Sequence, residues 1–134
     1  MRHQRAEIPL KLTGLATARR FFSDCFAEQG GDRECLWVAH LDDEARCLHL
    51  SRHLGDVGGV AFPIRNIVVD AAQHGSAAIL LAHNHPSGDP RPSDSDLRAT
   101  RRLAAAAGAL GCRLLDHLVF AGDECTSLRR LGYL

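Results

Sequence analysis

The residues best suited to chemistry in this sequence lie between positions 83 and 96. His83 and His85 are separated by one residue, and Asp96 follows them after a segment that contains three prolines and one glycine. Neutral imidazole and carboxylate groups are common ligands of Zn²⁺, and a catalytic zinc uses three protein ligands and keeps one position open. The spacing is therefore compatible with a His-His-Asp metal centre.

A purely structural interpretation of the same residues is also open. Ser93 and Asp96 match the acidic form of a capping box, in which the two side chains satisfy backbone N–H groups at a helix start. Either histidine could simply bond a backbone carbonyl. Spacing alone does not decide between the two interpretations, and both can hold together for Ser93 and Asp96.

The elements around these residues predict how they are brought together. Ser76 to Ala82 is almost wholly apolar, which is typical of a strand buried on both faces. The prolines and the glycine predict a loop from His83 to Pro92, and apolar periodicity predicts a helix from Asp94 to Gly111. The candidate centre would then lie at the carboxyl edge of a strand, where open α/β sheets usually bind ligands.

The rest of the chain predicts a single domain in which helices and strands alternate. A helix is expected from Leu15 to Glu28, and another begins with Pro63 at its first position and ends at Gly75. The remaining predicted strands are Glu34–Leu41 and Arg46–Leu54 (a hairpin), Val60–Phe62, Arg113–Phe120 and Cys125–Leu128. This order predicts a three-layer α/β/α sandwich with a mixed sheet.

Composition narrows the class of protein. The 134 residues are 46% hydrophobic and 24% charged, which is ordinary for a globular domain and excludes disorder. Residues 1–11 have no apolar signal-peptide core, and the longest uncharged stretch, Ala71 to His85, is too polar and too short to span a membrane. We therefore expect a cytoplasmic protein without a membrane partner.

Charge and cysteine content exclude further classes. Sixteen basic and sixteen acidic residues cancel, so the molecule lacks the positive field of a dedicated nucleic-acid binder. The five cysteines are unclustered, which argues against a disulfide framework and against a thiolate zinc site. These observations leave the oligomeric state open.

The segment from His83 to Asp96 resembles a known motif. His83-x-His85, seven residues, Ser93, two residues and Asp96 match the H-x-H-x7-S-x2-D pattern of the JAMM (MPN/JAB) metalloproteases. The strings His83–Gly88, Pro92-Ser93 and Leu115–His117 look specifically like the RadC branch of that family. The resemblance covers residues 13–134, which leaves residues 1–12 as an amino-terminal tail, and it does not include the family's usual helix-hairpin-helix region.

Two departures from the pattern concern neighbouring positions. Asn84 stands where most JAMM enzymes have serine or threonine, although the RadC branch usually carries asparagine. The segment Phe62-Pro63-Ile64-Arg65 differs from the branch's usual Pro-Arg-Glu. The metal motif itself is unaltered.

The resemblance implies a zinc hydrolase of peptide or isopeptide bonds on a cytidine-deaminase-like α/β/α fold. By it, one Zn²⁺ per chain is held by His83, His85 and Asp96. Glu34 would act as general base toward the attacking water, and Ser93 would donate a hydrogen bond to the oxyanion. Glu44, in the turn of the predicted hairpin, is expected to be solvated and away from the metal.

Several alternatives stay open. Glu34 could be a solvated loop carboxylate, and the whole chain could be a non-catalytic RadC-type module associated with DNA repair or recombination. A nucleobase deaminase is disfavoured because the H-x-E and P-C-x-x-C signatures are absent.

For the other polar residues, a structural role and a functional role are both open. Asp116 and His117 could orient a metal-binding histidine or make structural hydrogen bonds. The histidines of the predicted hairpin are expected to make local polar contacts, and the arginines of the last helix to form its solvated face rather than bind phosphate. These residues are His40, His49, His53, Arg98, Arg101 and Arg102.

Overall fold

The structure, a computed structural model of the chain, describes residues 10–29, 33–55 and 62–134. The helices are α1 (Leu15–Gln29), α2 (Ile64–Gln73) and α3 (Asp94–Gly108). The strands are β1 (Cys35–Leu41), β2 (Cys47–Leu54), β3 (Ala78–Asn84), β4 (Arg113–Ala121) and β5 (Glu124–Ser127). None of these helices is long and apolar enough to cross a membrane.

The strands form one mixed sheet in the order β2-β1-β3-β4-β5. β1 pairs antiparallel with both β2 and β3, β3 pairs parallel with β4, and β4 pairs antiparallel with β5. A parallel pair needs a long crossover connection, which α3 supplies between β3 and β4. Every residue of β3 is buried, as expected for a strand covered on both faces. This central strand is a fixed platform for the residues at its carboxyl end.

Two apolar cores lie on opposite faces of the sheet and confirm the predicted three-layer α/β/α sandwich. On one face, Phe22 and Phe26 of α1 pack against the sheet. On the other face, Ile67 of α2 and Leu103 of α3 pack against residues of β1 and β3. Full burial of one such side chain contributes roughly 1.5–3 kcal/mol to folding. The two layers hold the central strands from both sides.

The carboxyl end of β3 differs from the prediction. The predicted strand ends at Ala82, but His83 and Asn84 continue the ladder opposite Val119 and Phe120 of β4. The prediction that the loop begins at His83 is therefore wrong. Both polar side chains find hydrogen-bond partners inside the protein, so that burial of their polar groups is tolerated.

Other element bounds shift by a few residues. Pro63 precedes the first helical residue of α2 instead of occupying it. α3 ends at Gly108 and not at Gly111, because Gly111 has a φ of 77°, which is left-handed backbone that cannot continue a helix. Of the predicted strand Val60–Phe62, positions 60 and 61 lie outside the described residues.

Residues 10–12 pack with the domain, although they were predicted to end an amino-terminal tail. The carbonyl of Leu10 accepts a hydrogen bond from Cys47 N at 2.8 Å, and Lys11 forms an isolated bridge with Arg46. The Leu12 side chain is buried in the core beneath α1. Residues 10–12 thus contact the domain, and residues 1–9 of the predicted tail lie outside the described residues.

β4 contains a register shift that changes which face its side chains occupy. Leu114 and Asp116 pair with Ile79 and Leu80, which are consecutive residues of β3. The residue between them, Leu115, therefore has no pairing partner on β3. Side chains alternate strictly along a regular strand, which would place Leu114 and Leu118 on one face. Instead, Leu114 packs toward α2 and α3, whereas Leu118 packs toward α1. The shift is a β-bulge, and it reverses the orientation of every later residue of the strand.

His40 of β1 is fully buried and makes a local contact, as predicted. Its Nδ1 lies 3.0 Å from Ser76 Oγ, and among the described residues its Nε2 has no hydrogen-bond partner. Burial, together with the nearby His49, lowers the pKa of His40 to about 4. The rings of His49 and His74 stack beside it at a centroid distance of 4.1 Å.

The buried His40 predicts a loss of stability in mild acid. Its pKa is lowered in the folded protein, so the unfolded chain binds the extra proton first, and the stabilisation present above about pH 6.5 is lost as the pH falls toward 4. We expect this residue to contribute about 2 kcal/mol to the fall in unfolding free energy between about pH 7 and pH 5. Urea unfolding of the wild type and of His40→Gln, which does not titrate, measures the difference. An equal fall in both proteins would contradict this assignment.

Candidate metal centre

The candidate site is built at one edge of the sheet, where β3 ends and β1 begins. Because β1 and β3 are antiparallel and His83 lies opposite Leu36, the residue that precedes β1 comes to the same edge. That residue is Glu34. The topology therefore brings together two of the predicted site residues that are far apart in the sequence.

The turn after β3 places His85. Pro86 and Gly88 occupy the second and fourth positions of a turn in which Gly88 N donates to the carbonyl of His85 at 3.0 Å. Proline is favoured at the second position of such a turn, and the Gly88 φ of 89° is left-handed backbone that favours glycine. The turn returns the chain so that the Asp89 carbonyl lies 2.8 Å from His85 Nδ1. A carbonyl only accepts, so His85 Nδ1 carries the proton of this bond.

The first turn of α3 places Asp96. Ser93 Oγ accepts from Asp96 N at 3.0 Å, and Asp96 Oδ2 accepts from Ser93 N at 2.8 Å, which completes the predicted capping box. The same Oδ2 atom also faces the two histidines. Helix capping and a place in the site are therefore not alternatives for Asp96. The helix start fixes the carboxylate, and its dipole favours the negative charge.

Three donor atoms converge at this edge of the sheet. His83 Nε2 and His85 Nε2 are 2.9 Å apart, and Asp96 Oδ2 lies 3.4 Å from the first and 3.2 Å from the second. Two ligands at ordinary zinc distances of a tetrahedral ion are roughly 3.3 Å apart. The spacing of the three atoms fits such an ion without rearrangement.

The electrostatics of the three donors also fit a cation. His85 donates through Nδ1, so in its neutral form Nε2 presents a lone pair to Asp96 Oδ2 and to His83. The hydrogen bond to Asp96 raises the pKa of His85. Burial raises the pKa of Asp96, but His83 and His85, which donate to its carboxylate from Nε2 when their rings are protonated, outweigh it and lower that pKa far below its usual range. A carboxylate held ionised beside two imidazole nitrogens attracts a proton or a metal ion.

Glu34 lies beside this group of donors. One of its carboxylate oxygens lies within 4.8 Å of a ring nitrogen of each of His83 and His85, and the side chain is half-buried. Glu34 thus lies beside the two histidines, in the segment that precedes β1. Glu44, by contrast, is exposed and lies 3.6 Å from Arg46 at the other end of β1. Two donor sets share the histidines, one completed by Asp96 and the other by Glu34.

Asn84 fixes the backbone on both sides of Glu34. Its Oδ1 accepts from Cys35 N at 2.8 Å, and its Nδ2 donates to the Arg33 carbonyl at 3.0 Å. Only an amide side chain offers an acceptor and a donor in this geometry, whereas serine or threonine has a single hydroxyl. The departure at position 84 from most JAMM sequences thus has a structural consequence, because Asn84 clamps the segment that carries Glu34.

We expect Asn84→Ala to reduce turnover more than metal binding. Release of the Arg33–Cys35 backbone would misplace Glu34, and a misplacement of about 1 Å can cost on the order of 10²-fold in rate. The unsatisfied Cys35 N–H should also cost about 1–3 kcal/mol of stability. Parallel measurement of hydrolysis, bound metal and urea unfolding separates these effects. An unfolding midpoint that shifts while the rate is unchanged would show that the clamp serves stability alone.

Ser93 is exposed and has a hydroxyl proton to spare, because its cap bond uses Oγ as the acceptor. We expect Ser93→Ala to cost about 1 kcal/mol of stability through the lost cap and roughly 10²–10³ in rate through the lost oxyanion donor. Thermal unfolding and turnover, measured on one preparation, test both numbers. A variant that melts earlier but turns over normally would reduce Ser93 to a helix cap.

Some residues near the site were not identified from the sequence. Thr100 of α3 is buried and bonds both the Asp96 carbonyl and His117 Nδ1, each at 2.7 Å. Phe62 packs its ring 5.5 Å from that of His117. Neither residue belongs to a recognisable motif. A helical periodicity that places Thr100 one turn after Asp96 is the only sequence signal.

Asp116 and His117 have different surroundings. Asp116 Oδ2 accepts from Ser127 Oγ at 2.5 Å and Oδ1 accepts from Arg129 N at 3.1 Å, which ties β4 to β5 and to the following turn. His117 is fully buried and its Nε2 lies 2.7 Å from His83 Nδ1. Burial lowers the pKa of His117 well below its usual range. Asp116 is therefore structural, whereas His117 contacts the candidate site.

The other candidates lie away from the donors. His49 and His53 lie on β2, where Ser51 Oγ is 3.3 Å from His53 Nε2. The three arginines of α3 are exposed, as predicted for a solvated helix face; they are Arg98, Arg101 and Arg102. None of these residues belongs to the group of Glu34, His83 and His85, whose ligand atoms lie within 4.8 Å of one another.

Comparisons with known proteins give one family model and several relatives that share a printed name. A model of the RadC-like JAB domain family matches residues 12–133, which is nearly the whole chain. A "UPF0758 protein" from Cellvibrio japonicus is 41% identical over 103 residues, which cover 76% of this chain and 46% of that protein.

Two further relatives carry the same printed name. The protein from Methanospirillum hungatei is 50% identical over 70 residues, covering 52% of this chain and 31% of its own length. The protein from Desulforudis audaxviator is 35% identical over 102 residues, covering 75% and 44%. The matched part of this chain thus spans less than half the length of each of these curated relatives.

Proposed function

Because the chain belongs to the RadC-like JAB domain family, we propose that it is a zinc-dependent hydrolase of peptide or isopeptide bonds. The observation that carries this proposal is the convergence of three donor atoms within 3.4 Å of one another, two of them imidazole nitrogens and one a carboxylate oxygen. His83, His85 and Asp96 would hold one Zn²⁺ per chain. When bound, the ion lowers the pKa of water at its open position to about 7 and polarises the scissile carbonyl.

Glu34 would supply the proton transfers. Its carboxylate lies near the donors without being one of the three, and Asn84 holds the adjoining backbone in place. From this position it would accept a proton from the attacking water and deliver it to the leaving amine. The cost of expelling an amine as an anion is thereby avoided.

Ser93 and the start of α3 would stabilise the negative charge that develops on the substrate. The Ser93 hydroxyl keeps its proton available, since the cap bond uses Oγ only as an acceptor. A hydrogen bond from this hydroxyl to the carbonyl oxygen strengthens as that oxygen becomes an anion. The side chain would contribute to the transition state more than to substrate binding.

The substrate is proposed to be a peptide or an isopeptide-linked protein. A nucleic-acid partner is not proposed, because basic and acidic residues are equal in number. We also propose a cytoplasmic location, where the five cysteines, which are all unpaired in the structure, remain reduced thiols.

The test begins with protein purified without a histidine tag. Metal analysis should give about one zinc per chain, and chelator treatment should remove it. A proteome-derived peptide library, incubated with zinc-loaded protein and analysed by mass spectrometry, should contain new cleavage products that are absent after chelation. Stoichiometric zinc without cleavage of peptides or of isopeptide-linked substrates would instead favour a non-catalytic module, and absence of zinc would contradict the proposal as a whole.

A further inference from the structure

A chain of short hydrogen bonds runs from the candidate metal centre into α3. His83 Nδ1 lies 2.7 Å from His117 Nε2, His117 Nδ1 lies 2.7 Å from Thr100 Oγ1, and Thr100 Oγ1 lies 2.7 Å from the Asp96 carbonyl. All three side chains are buried, with exposures of 1% or less. This series of hydrogen bonds thus starts at one candidate ligand, His83, and ends on the backbone of another, Asp96.

The protons of this chain can be placed from its far end. A carbonyl only accepts hydrogen bonds, so the single hydroxyl proton of Thr100 is donated to Asp96 O. The Thr100 oxygen must then accept from His117, which places the His117 proton on Nδ1. A neutral imidazole carries one N–H, so His117 Nε2 is an acceptor and His83 Nδ1 carries the proton between the two rings. The remaining His83 nitrogen, Nε2, is left with its lone pair toward Asp96 and His85.

The fold places His117 where it can do this. The bulge in β4 reverses the alternation of side chains, so that His117 lies on the face covered by α3 and not on the face covered by α1. Phe62 packs against the rings of both His117 and His83 and closes the apolar side of the pair. The His117 Nδ1 atom has Thr100 as its hydrogen-bond partner, so the buried pair of imidazole rings has little freedom to adopt another arrangement.

We propose that His117 and Thr100 are positioning residues that hold His83 in the tautomer whose Nε2 lone pair faces the metal centre. This inference rests on the proposed function for the identity of the ion. Outer hydrogen-bond partners of metal-binding histidines fix both the ring orientation and the tautomer, and their loss typically lowers metal affinity about 10–100-fold. The partner here is a second histidine, which is itself oriented by a threonine.

Matched variants of Thr100 test this series of hydrogen bonds with little change in side-chain volume. Thr100→Val removes the hydroxyl, which frees His117 to place its proton on Nε2 and to reverse the bond to His83. Thr100→Ser keeps the hydroxyl. Zinc affinity, measured by competition with a chromogenic chelator, should fall about 10–100-fold in the valine variant and stay within a few-fold of wild type in the serine variant. Equal zinc affinity in all three proteins would overturn the inference.

Variants of His117 provide a second comparison. His117→Leu removes the acceptor for His83 Nδ1, whereas His117→Gln can restore one through its amide oxygen. We expect the glutamine variant to bind zinc more tightly than the leucine variant. If the leucine variant does not fold, the comparison of Thr100→Val with Thr100→Ser still tests the proposal, because both of these variants keep the two imidazole rings.

Imidazole ¹⁵N NMR of the wild type tests the same arrangement without zinc. In metal-free protein at mildly alkaline pH, the proton between the rings should be covalently attached to His83 Nδ1, with a coupling across the hydrogen bond to His117 Nε2. A proton attached to His117 Nε2 instead would refute the proposed arrangement of these hydrogen bonds. If the wild type binds no zinc, the proposed function fails, but this measurement still supports or refutes the arrangement of the hydrogen bonds.

Discussion

Glu34→Gln should keep one zinc per chain and lose nearly all hydrolysis. The substitution preserves size and hydrogen-bonding capacity but removes the basic carboxylate, and general acid–base catalysis typically contributes about 10²–10⁴ in rate. The carboxylate lies within 4.8 Å of the ring nitrogens of His83 and His85, so an effect on turnover is expected from its position. Turnover of the substrate found in the peptide library, together with metal analysis, measures both quantities.

Glu44→Gln is the matched control for this change. Glu44 precedes β2, is exposed, and lies 3.6 Å from Arg46, so the same chemical substitution there should leave rate and zinc content unaltered. Loss of zinc in Glu34→Gln would show that Glu34 is a ligand and belongs to the alternative donor set. Normal hydrolysis in Glu34→Gln would exclude it as the general base.

His85→Ala should lose stoichiometric zinc while the fold is kept. His85 lies on the turn after β3 and not in the core, so its removal leaves both apolar layers intact. Two donors cannot hold the ion as three do, and the affinity should fall by more than the roughly 10–100-fold that loss of an outer hydrogen-bond partner costs. Metal analysis after dialysis, with circular dichroism to verify folding, measures the result.

Two further variants make this prediction specific. Asp96→Asn should also lose zinc, because the neutral amide no longer balances the charge of the ion. His74→Ala should retain zinc, because His74 is exposed at the end of α2 and lies outside the converging donors. A His85→Ala protein that still holds one zinc per chain would place the metal elsewhere.

The sequence was informative where a local pattern has a single physical consequence. The apolar run before His83 predicts a buried strand, and the strand–loop–helix order predicts that Asp96 returns to the strand end. The capping box was also readable, since Ser93 and Asp96 have the spacing that one helical turn requires. These parts of the site depend on contacts within about fourteen residues, as the printed sequence shows.

The parts that could not be predicted depend on long-range register. The end of β3 extends through His83 and Asn84 because distant groups, the backbone N–H of Cys35 and the ring of His117, satisfy their side chains. No local pattern reports such partners. The position of Glu34 near the site came from the resemblance, since only the antiparallel pairing of β1 with β3 brings it there.

The bulge in β4 has a consequence for which mutations this chain can tolerate during evolution. Leu115 is the extra residue, because Leu114 and Asp116 already pair with consecutive residues of β3. Deletion of Leu115 would therefore remove the bulge and leave His117 and Leu118 opposite the same residues of β3 and on the same faces of the sheet. A gain or loss of one residue farther along the strand would instead exchange the two faces for the residues that follow it. Natural variants that lack one residue should thus lack it at the bulge.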